Sequence, residues 1–192
     1  MSFKIRRLLD FCIPLFVIAL LLSGAAAIQS QGAESITPAG IAKRIIPDGG
    51  RATDYGLPLS LSFTQKFINY NKSIMLTARQ KDIRHRALAE LKAPCCDDNS
   101  ADTCCCPCNL SKSVWGLTKY VISEKGFDVQ QTRKSALEWL MFTRSNYYIV
   151  RELLNGRVAP AKFDLVEESS CYVGKCELPF VDGAVAAWVR CE

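Results

Sequence analysis

Histidine is almost absent from this chain, since His85 is the single one among 192 residues. A hydrolytic triad needs a histidine beside its nucleophile, so one histidine leaves little room for that chemistry. Paired catalytic carboxylates and a phosphate-binding loop are also missing from the sequence. We expect His85 itself to be a surface or hydrogen-bonded side chain, because it lies about two helical turns before the nearest cysteines.

A concentrated positive charge is also lacking. The chain has 24 basic and 19 acidic residues and a formal net charge of +5. Three of those basic residues and one acidic residue lie in the first ten positions, so the rest of the chain carries only +3. The basic residues are scattered rather than striped, and no nucleic-acid-binding motif is present. We therefore expect no nucleic-acid partner.

The longest apolar run, over 11–22, is short for a membrane span, which needs roughly 20 apolar residues. Three basic residues precede the run, and Ala25 and Ala27 after it suit a small-x-small cleavage pattern. Residues 1–27 are therefore predicted to be a signal peptide, with retention as an N-terminal membrane anchor as the alternative. The mature protein is expected outside the cytoplasm, in the periplasm or cell envelope.

Cysteine, by contrast, is abundant and concentrated in one place. Six of the ten cysteines lie in the run Cys95-Cys96-Asp-Asp-Asn-Ser-Ala-Asp-Thr-Cys104-Cys105-Cys106-Pro107-Cys108. Adjacent cysteines suit disulfides badly, because the two sulfurs need a defined geometry. Many thiols at one point suit soft-metal binding or electron exchange with other thiols. Without Cys12 in the leader nine cysteines remain, and an odd number cannot pair fully within one chain.

The first interpretation of this cluster is a soft-metal site with a role in metal delivery or sequestration. Thiols on the two sides of the loop can face each other, and four thiolates in a tetrahedron suit Zn²⁺, whereas two or three suit Cu(I). We predict copper(I) or zinc as the bound ion. The predicted ligands are Cys95, Cys96, Cys104, Cys105, Cys106 and Cys108. The acidic residues of the loop, Asp97, Asp98 and Asp102, are expected to be solvated rather than to bind the ion.

A second interpretation is thiol–disulfide exchange with a thiol-bearing partner protein. Cys105-Cys106-Pro107-Cys108 is a Cys-x-x-Cys before a predicted helix, and the free amides of a helix N-terminus favour a thiolate. Cys105 and Cys108 would then be the catalytic pair, with the more exposed thiol attacking. A third interpretation is a disulfide-stapled structural module. Cys171 and Cys176 form a second, weaker site, predicted to be a local disulfide or to contribute ligands.

The hydrophobic pattern predicts a mainly α-helical fold. Residues 60–92 are expected to form a helix in two pieces, with a break near 69–71. Another helix should begin near Asn109 and stop at Gly126, and the next should be capped by Asp128 with Gln131 three residues on. A last helix is expected over about 147–154. The expected fold class is a small helical bundle with a cysteine-rich loop between helices and an irregular C-terminal segment.

The predicted domain organisation follows from these elements. Glycine and proline interrupt residues 28–58, which are expected to be a linker. Residues 59–157 should form the helical cysteine-rich domain, and 158–192 an irregular cysteine-containing tail. The larger apolar side chains expected in the core are Met75, Trp115, Trp139 and Met141.

The stretch from Cys105 to about residue 144 resembles the CcmH-type subunits of cytochrome c maturation. The matching features are Cys105 and Cys108, the helix that follows, Gly126, and a second helix from Val129. Cys104 stands where that pattern has an arginine. The segment Ala93-Pro94-Cys95 is also similar to small exported bacterial proteins named for a Pro-Cys-Tyr-Cys-Gly-Cys motif, which place a helix before a Pro-Cys start. Both resemblances imply a thiol protein of the bacterial envelope, and the first implies a three-helix bundle.

Overall fold

A computed structural model describes residues 36–94, 96–104 and 108–165, with the backbone alone for 96–98. The predicted signal peptide and the predicted pair Cys171 and Cys176 lie outside these residues. Within the described residues, no helix combines the length and the apolar character that crossing a membrane requires.

The prediction of a mainly α-helical fold is confirmed. The described residues contain two short strands that form one antiparallel pair, and two 3₁₀ turns at Leu61–Phe63 and Pro160–Phe163. The strands are β1 (Lys92–Ala93) and β2 (Cys96–Ser100). The helices are α1 (Pro38–Ile45), α2 (Thr64–Ser73), α3 (Ala78–Leu88), α4 (Asn109–Lys125), α5 (Val129–Thr143) and α6 (Ser145–Asn155).

Local capping explains several of these boundaries. Asp128 accepts a hydrogen bond from the backbone of Gln131, whose side chain accepts one from the backbone of Asp128, as the sequence predicts. Gly126 ends α4 in the left-handed conformation, with φ of 67°, which glycine adopts without a steric penalty. Thr77 and Gln80 form a second capping box at the start of α3.

Helix α4 lies at the centre of the main core and packs against α2 and α5. The ring of Phe67 on α2 meets Trp139 on α5 edge to face, with the ring centroids 5.0 Å apart. Trp139 is fully buried and Trp115 is partly buried against the same core, so both predictions hold. The buried side chains of α4 include Leu110, Val114, Leu117 and Val121, together with three hydroxyl residues, Ser111, Ser113 and Thr118.

The helical segment 60–92 does break in two, but later than predicted. Asn69 stays inside α2, where its side chain accepts a hydrogen bond from Gln65 one turn earlier. The break falls at Ile74, which is extended, because the Thr77 capping box starts a new helix just beyond it. Met75 lies in this break and is 82% exposed, so its prediction as a core residue is wrong. Helix α3 then ends at Leu88.

The prediction of a linker over 28–58 is wrong for its described part, 36–58. Thr37 caps α1, and Pro38 occupies the first turn, where proline favours a helix rather than breaking one. Tyr55 is almost fully buried in the main core, and Gly50 and Gly56, with positive φ, form the turns around it. Glycine and proline here make tight, packed structure.

A second, smaller core joins α1 to α6. Ile41 of α1 is buried there with Ile149 and Leu153 of α6. Phe163 and Leu165 pack against the same cluster. The described start of the predicted irregular tail is thus a 3₁₀ turn packed on α6.

Candidate thiol site

The cysteine-bearing segment between α3 and α4 begins with a reversal of the chain. Strand β1 pairs antiparallel with β2, with Lys92 opposite Ser100 and Ala93 opposite Cys96, and the register is irregular between the two pairs. The amide of Ala101 then donates to the carbonyl of Leu91 over 2.7 Å. The sequence predicts a loop for this segment, but its first half contains a short antiparallel ribbon, formed by β1 and β2.

One side chain of α4 attaches this ribbon to the helical core. The indole N–H of Trp115 donates to the carbonyl oxygen of Ala101 over 2.8 Å. Ala101 is itself buried, with 4% of its surface exposed. A buried carbonyl without a donor would cost free energy, so this hydrogen bond holds the segment in place next to α4.

Cys108 is the N-cap residue of α4. The helix therefore begins one position earlier than the sequence predicts, since Asn109 is the expected N-cap. The backbone of Cys108 is extended, with φ of −73° and ψ of 172°, so Asn109 is already helical. Cys108 is 1% exposed. The hydroxyl of Ser111 lies 3.0 Å from the carbonyl oxygen of Cys108 and 3.8 Å from its Sγ. One predicted thiol is thus buried at a helix N-terminus.

Cys104 is the last described residue before position 108, and its side chain is partly buried. It borders a cavity of about 10 Å³ between the ribbon and α4, which is roughly the space of one water molecule. Pro94, the residue before Cys95, borders the same cavity, and so do Ala101 and Ser111. Pro94 and Cys104, ten positions apart in the chain, therefore border the same very small space.

Asp102 is not solvated as predicted. Its side chain is 10% exposed and is held by two residues of α3. A guanidinium nitrogen of Arg84 lies 3.3 Å from Oδ1, and Nδ1 of His85 lies 2.7 Å from Oδ2. His85 is 63% exposed and hydrogen-bonded, which confirms the prediction for this residue. The sequence carries no pattern that joins Arg84 or His85 to a carboxylate 17 or 18 positions away.

Lys119 on α4 interacts electrostatically with two cations of α3. Burial lowers the pKa of Lys119 on α4, and the charges of Arg84 and Lys81 on α3 lower it further. Lys119 also donates to the carbonyl oxygen of Asn71. The charges of Arg84 and Lys81 thus act on Lys119, and Arg84 also contacts Asp102.

The predicted ligand set lies only partly within the described residues. Cys104 and Cys108 are the two cluster cysteines whose side chains are described, and those of Cys95, Cys96, Cys105 and Cys106 lie outside them. The same holds for Asp97 and Asp98. Among the described side chains, no group of three or more histidine, cysteine, aspartate or glutamate residues could hold a metal ion. Both the metal and the redox interpretation stay predictions.

No family model, no curated protein and no solved structure matches this chain significantly. The resemblance to CcmH-type subunits and to the exported cysteine-motif proteins therefore stays a prediction. Function has to be argued from the chain's own residues.

Proposed function

We propose that the protein binds a soft metal ion, Cu(I) or Zn²⁺, through the cysteine run between α3 and α4. The observation that carries this proposal is the shared cavity of Pro94 and Cys104. Cys95 and Cys96 follow Pro94 directly, and Cys105 follows Cys104. Convergence of thiols that follow Pro94 and Cys104 on one ion is the arrangement we propose.

Electrostatics supports the thiolate form that a metal requires. A thiol binds a metal after losing its proton, and nearby cations and a helix N-terminus favour that loss. Cys108 is the N-cap residue of the 17-residue helix α4, and Arg84 contacts Asp102, two residues before Cys104. Burial of Cys108 opposes ionisation, so metal coordination would compensate for the desolvation of its thiolate.

Metal content measured after anaerobic purification tests this function. The wild type should carry about one equivalent of Cu or Zn, and serine at both Cys105 and Cys108 should remove most of it. Serine at both Cys95 and Cys96 provides a second variant that leaves the buried N-cap unchanged. Serine at Cys191, a cysteine outside both predicted sites, is the matched control and should retain the metal. A wild type without stoichiometric Cu or Zn contradicts the proposal.

Thiol–disulfide exchange is the second candidate, and the position of Cys108 favours it. In a Cys-x-x-Cys pair one thiol attacks and the other resolves, and a thiol that is 1% exposed suits the second task. The Cys105 thiolate would attack a partner disulfide, which releases one partner thiolate and forms a mixed disulfide. Cys108 would then displace the second partner thiolate, so that the partner leaves reduced and Cys105–Cys108 is oxidised.

The rate of alkylation as a function of pH tests this second candidate. If the attacking thiol has a lowered pKa, the alkylation rate should rise through a transition at a pH well below the ordinary cysteine pKa of about 8.5. Replacement of Cys105 by serine should remove that transition. A single transition near about 8.5 in the wild type would leave no tuned nucleophile.

We also propose that the protein lies outside the cytoplasm, and the charged start and apolar run of residues 1–27 support this location. Fusion of residues 1–35 to a reporter that is active only after export tests this location. The fusion should be active, and a matched fusion with the three basic residues of the leader replaced by glutamate should lose most of that activity. A silent wild-type fusion contradicts export.

A further inference from the structure

The corner between helices α2 and α3 exposes one large apolar side chain. Met75 is 82% exposed, and among the described residues the other exposed large apolar side chain, Ile36, reaches only 46%. Both neighbours of Met75 are fixed to the protein, because Leu76 is buried and Ile74 packs against the main core. The backbone is extended at Ile74, and successive side chains of an extended chain point to opposite sides. Met75 is therefore held pointing away from the core.

The same corner lies in the most positively charged part of the fold. Helices α2, α3 and α4 contain nine basic residues but only two acidic ones, Asp82 and Glu124. The other residues between 36 and 165 carry equal numbers of each sign. No aspartate or glutamate occurs between Asp54 and Asp82, the stretch that contains the corner. The net positive charge of 36–165 thus belongs to these three helices.

Ion pairs do not neutralise the cations at the corner. Lys72, Arg79 and Lys81 are exposed, and none of them forms an ion pair with a carboxylate of the described residues. Exposed cations elsewhere in the protein, such as Arg44 and Lys134, do form such pairs. The three corner cations are therefore available to an anionic partner from outside the molecule.

A fourth cation, Lys119 of α4, contacts the same corner. Its ammonium group donates to the carbonyl oxygen of Asn71, the residue before Lys72. Burial lowers the pKa of Lys119, and the charges of Arg84 and Lys81 lower it further. Like charges of α3 and α4 thus repel each other, and an anionic partner would relieve that repulsion.

We propose that this corner, defined by Lys72, Met75, Arg79 and Lys81, docks the protein onto the surface of an anionic lipid bilayer. The cations would contact the headgroups, and the methionine would enter the boundary between headgroups and acyl chains. A projecting apolar side chain favours a bilayer over a nucleic acid, because a bilayer offers an apolar layer just beneath its charged surface. The inference does not depend on the proposed metal-binding function.

Binding of the full chain to lipid vesicles tests this surface. The protein should partition more strongly onto vesicles that contain phosphatidylglycerol than onto phosphatidylcholine alone, and added salt should weaken the preference. The double variant Lys72→Gln, Lys81→Gln should bind the anionic vesicles about 25-fold more weakly, which is about fivefold for each cation. Met75→Ser should bind about five- to tenfold more weakly, because it has no apolar side chain to insert.

The matched control removes the same charge from another part of the protein. Lys43 on α1 and Lys162 in the last 3₁₀ turn are also exposed lysines. The double variant Lys43→Gln, Lys162→Gln should bind the anionic vesicles within about twofold of wild type, because charges away from the docked surface are screened. All these variants should unfold at the wild-type temperature, because the substituted side chains are exposed, so a loss of binding is not a loss of fold.

The three methionines distinguish docking at the corner from binding through the apolar run of residues 1–27. Methyl groups labelled with carbon-13 report separately on Met1 in that leader, on Met75 and on Met141 of α5. In lipid nanodiscs that contain phosphatidylglycerol, a spin label on the acyl chains should broaden the Met75 signal and leave the Met141 signal sharp. The Met1 signal measures the contribution of the leader independently.

Two results would overturn the inference. The first is a Met75 signal no broader than that of Met141, or corner variants that bind anionic vesicles as tightly as the Lys43 and Lys162 control. The second is a single-stranded oligonucleotide that binds more tightly than the vesicles and loses affinity in the corner lysine variant but not in Met75→Ser. That result would identify a nucleic-acid surface instead. Neither result changes the metal content, which tests the proposed function separately.

Discussion

The carbonyl oxygen of Phe67 lies 1.7 Å from the point that a Cβ atom at Gly116 would occupy. Helices α2 and α4 therefore approach so closely at this point that only glycine fits. An alanine would have to push the backbones of two helices apart, because the nearest atoms all belong to the main chain of α2. The packing of α4, which begins at the cysteine run, depends on this contact.

Gly116→Ala should therefore destabilise the protein. In a helix free of contacts the same change would stabilise by about 1 kcal/mol. Here overpacking should reverse the sign and lower the free energy of unfolding by about 3 kcal/mol or more. Urea unfolding followed by circular dichroism measures the change. A variant as stable as wild type would contradict the close approach of the two helices.

Ser113→Ala should destabilise the protein, because it leaves the indole N–H of Trp139 without a hydrogen-bond acceptor. The N–H of Trp139 donates to the hydroxyl of Ser113 over 3.0 Å, and both side chains are fully buried. Without the hydroxyl, the indole donor has lost its partner, and the free energy of unfolding should fall by about 1–3 kcal/mol. Ser123→Ala, near the other end of α4, is the control and should change stability by less than about 0.5 kcal/mol.

Trp115→Phe should loosen the thiol-bearing segment while keeping an aromatic ring. The change removes the hydrogen bond to the Ala101 carbonyl, and stability should fall by about 1 kcal/mol. The amide of Ala101, which is bonded to Leu91, should exchange its hydrogen faster in the variant. The amide of Leu117, in the middle of α4, serves as the internal control. Equal protection of Ala101 in both proteins would show that the indole does not hold the segment.

Alkaline pH should destabilise the protein through Tyr55. Burial raises the pKa of this phenol from 10.0 to about 12. Between these values the unfolded chain has lost the proton that the folded chain retains, so the free energy of unfolding falls as pH rises from about 10 to about 12. Below a pH of about 10 the phenol is neutral in both the folded and the unfolded chain, so its ionisation does not lower the free energy of unfolding.

Tyr55→Phe should show a smaller loss of stability over the same pH range, because it has no phenol to ionise. Burial also raises the pKa of Tyr148, so the dependence should be reduced rather than abolished. Urea unfolding at a series of pH values measures both proteins. Parallel curves for the two would contradict the burial of the Tyr55 phenol.

Features that depend on neighbouring residues could be predicted from the sequence. The Asp128 capping box with Gln131 and the glycine stop at Gly126 act within one helical turn. Their residue types therefore indicate the boundaries directly. The linker prediction failed at Tyr55, because composition does not distinguish glycines that make packed turns from glycines in an open linker.

Hydrophobic periodicity was enough to predict the helical class, and residue type alone predicts a thiol site in the cysteine run. Only the tertiary structure decided that Asp102 is buried against Arg84 and His85, and that Pro94 and Cys104 share one cavity. These contacts join positions 10 to 18 residues apart on different elements. They depend on how α3, the ribbon and α4 pack, and no local pattern in the chain encodes that packing.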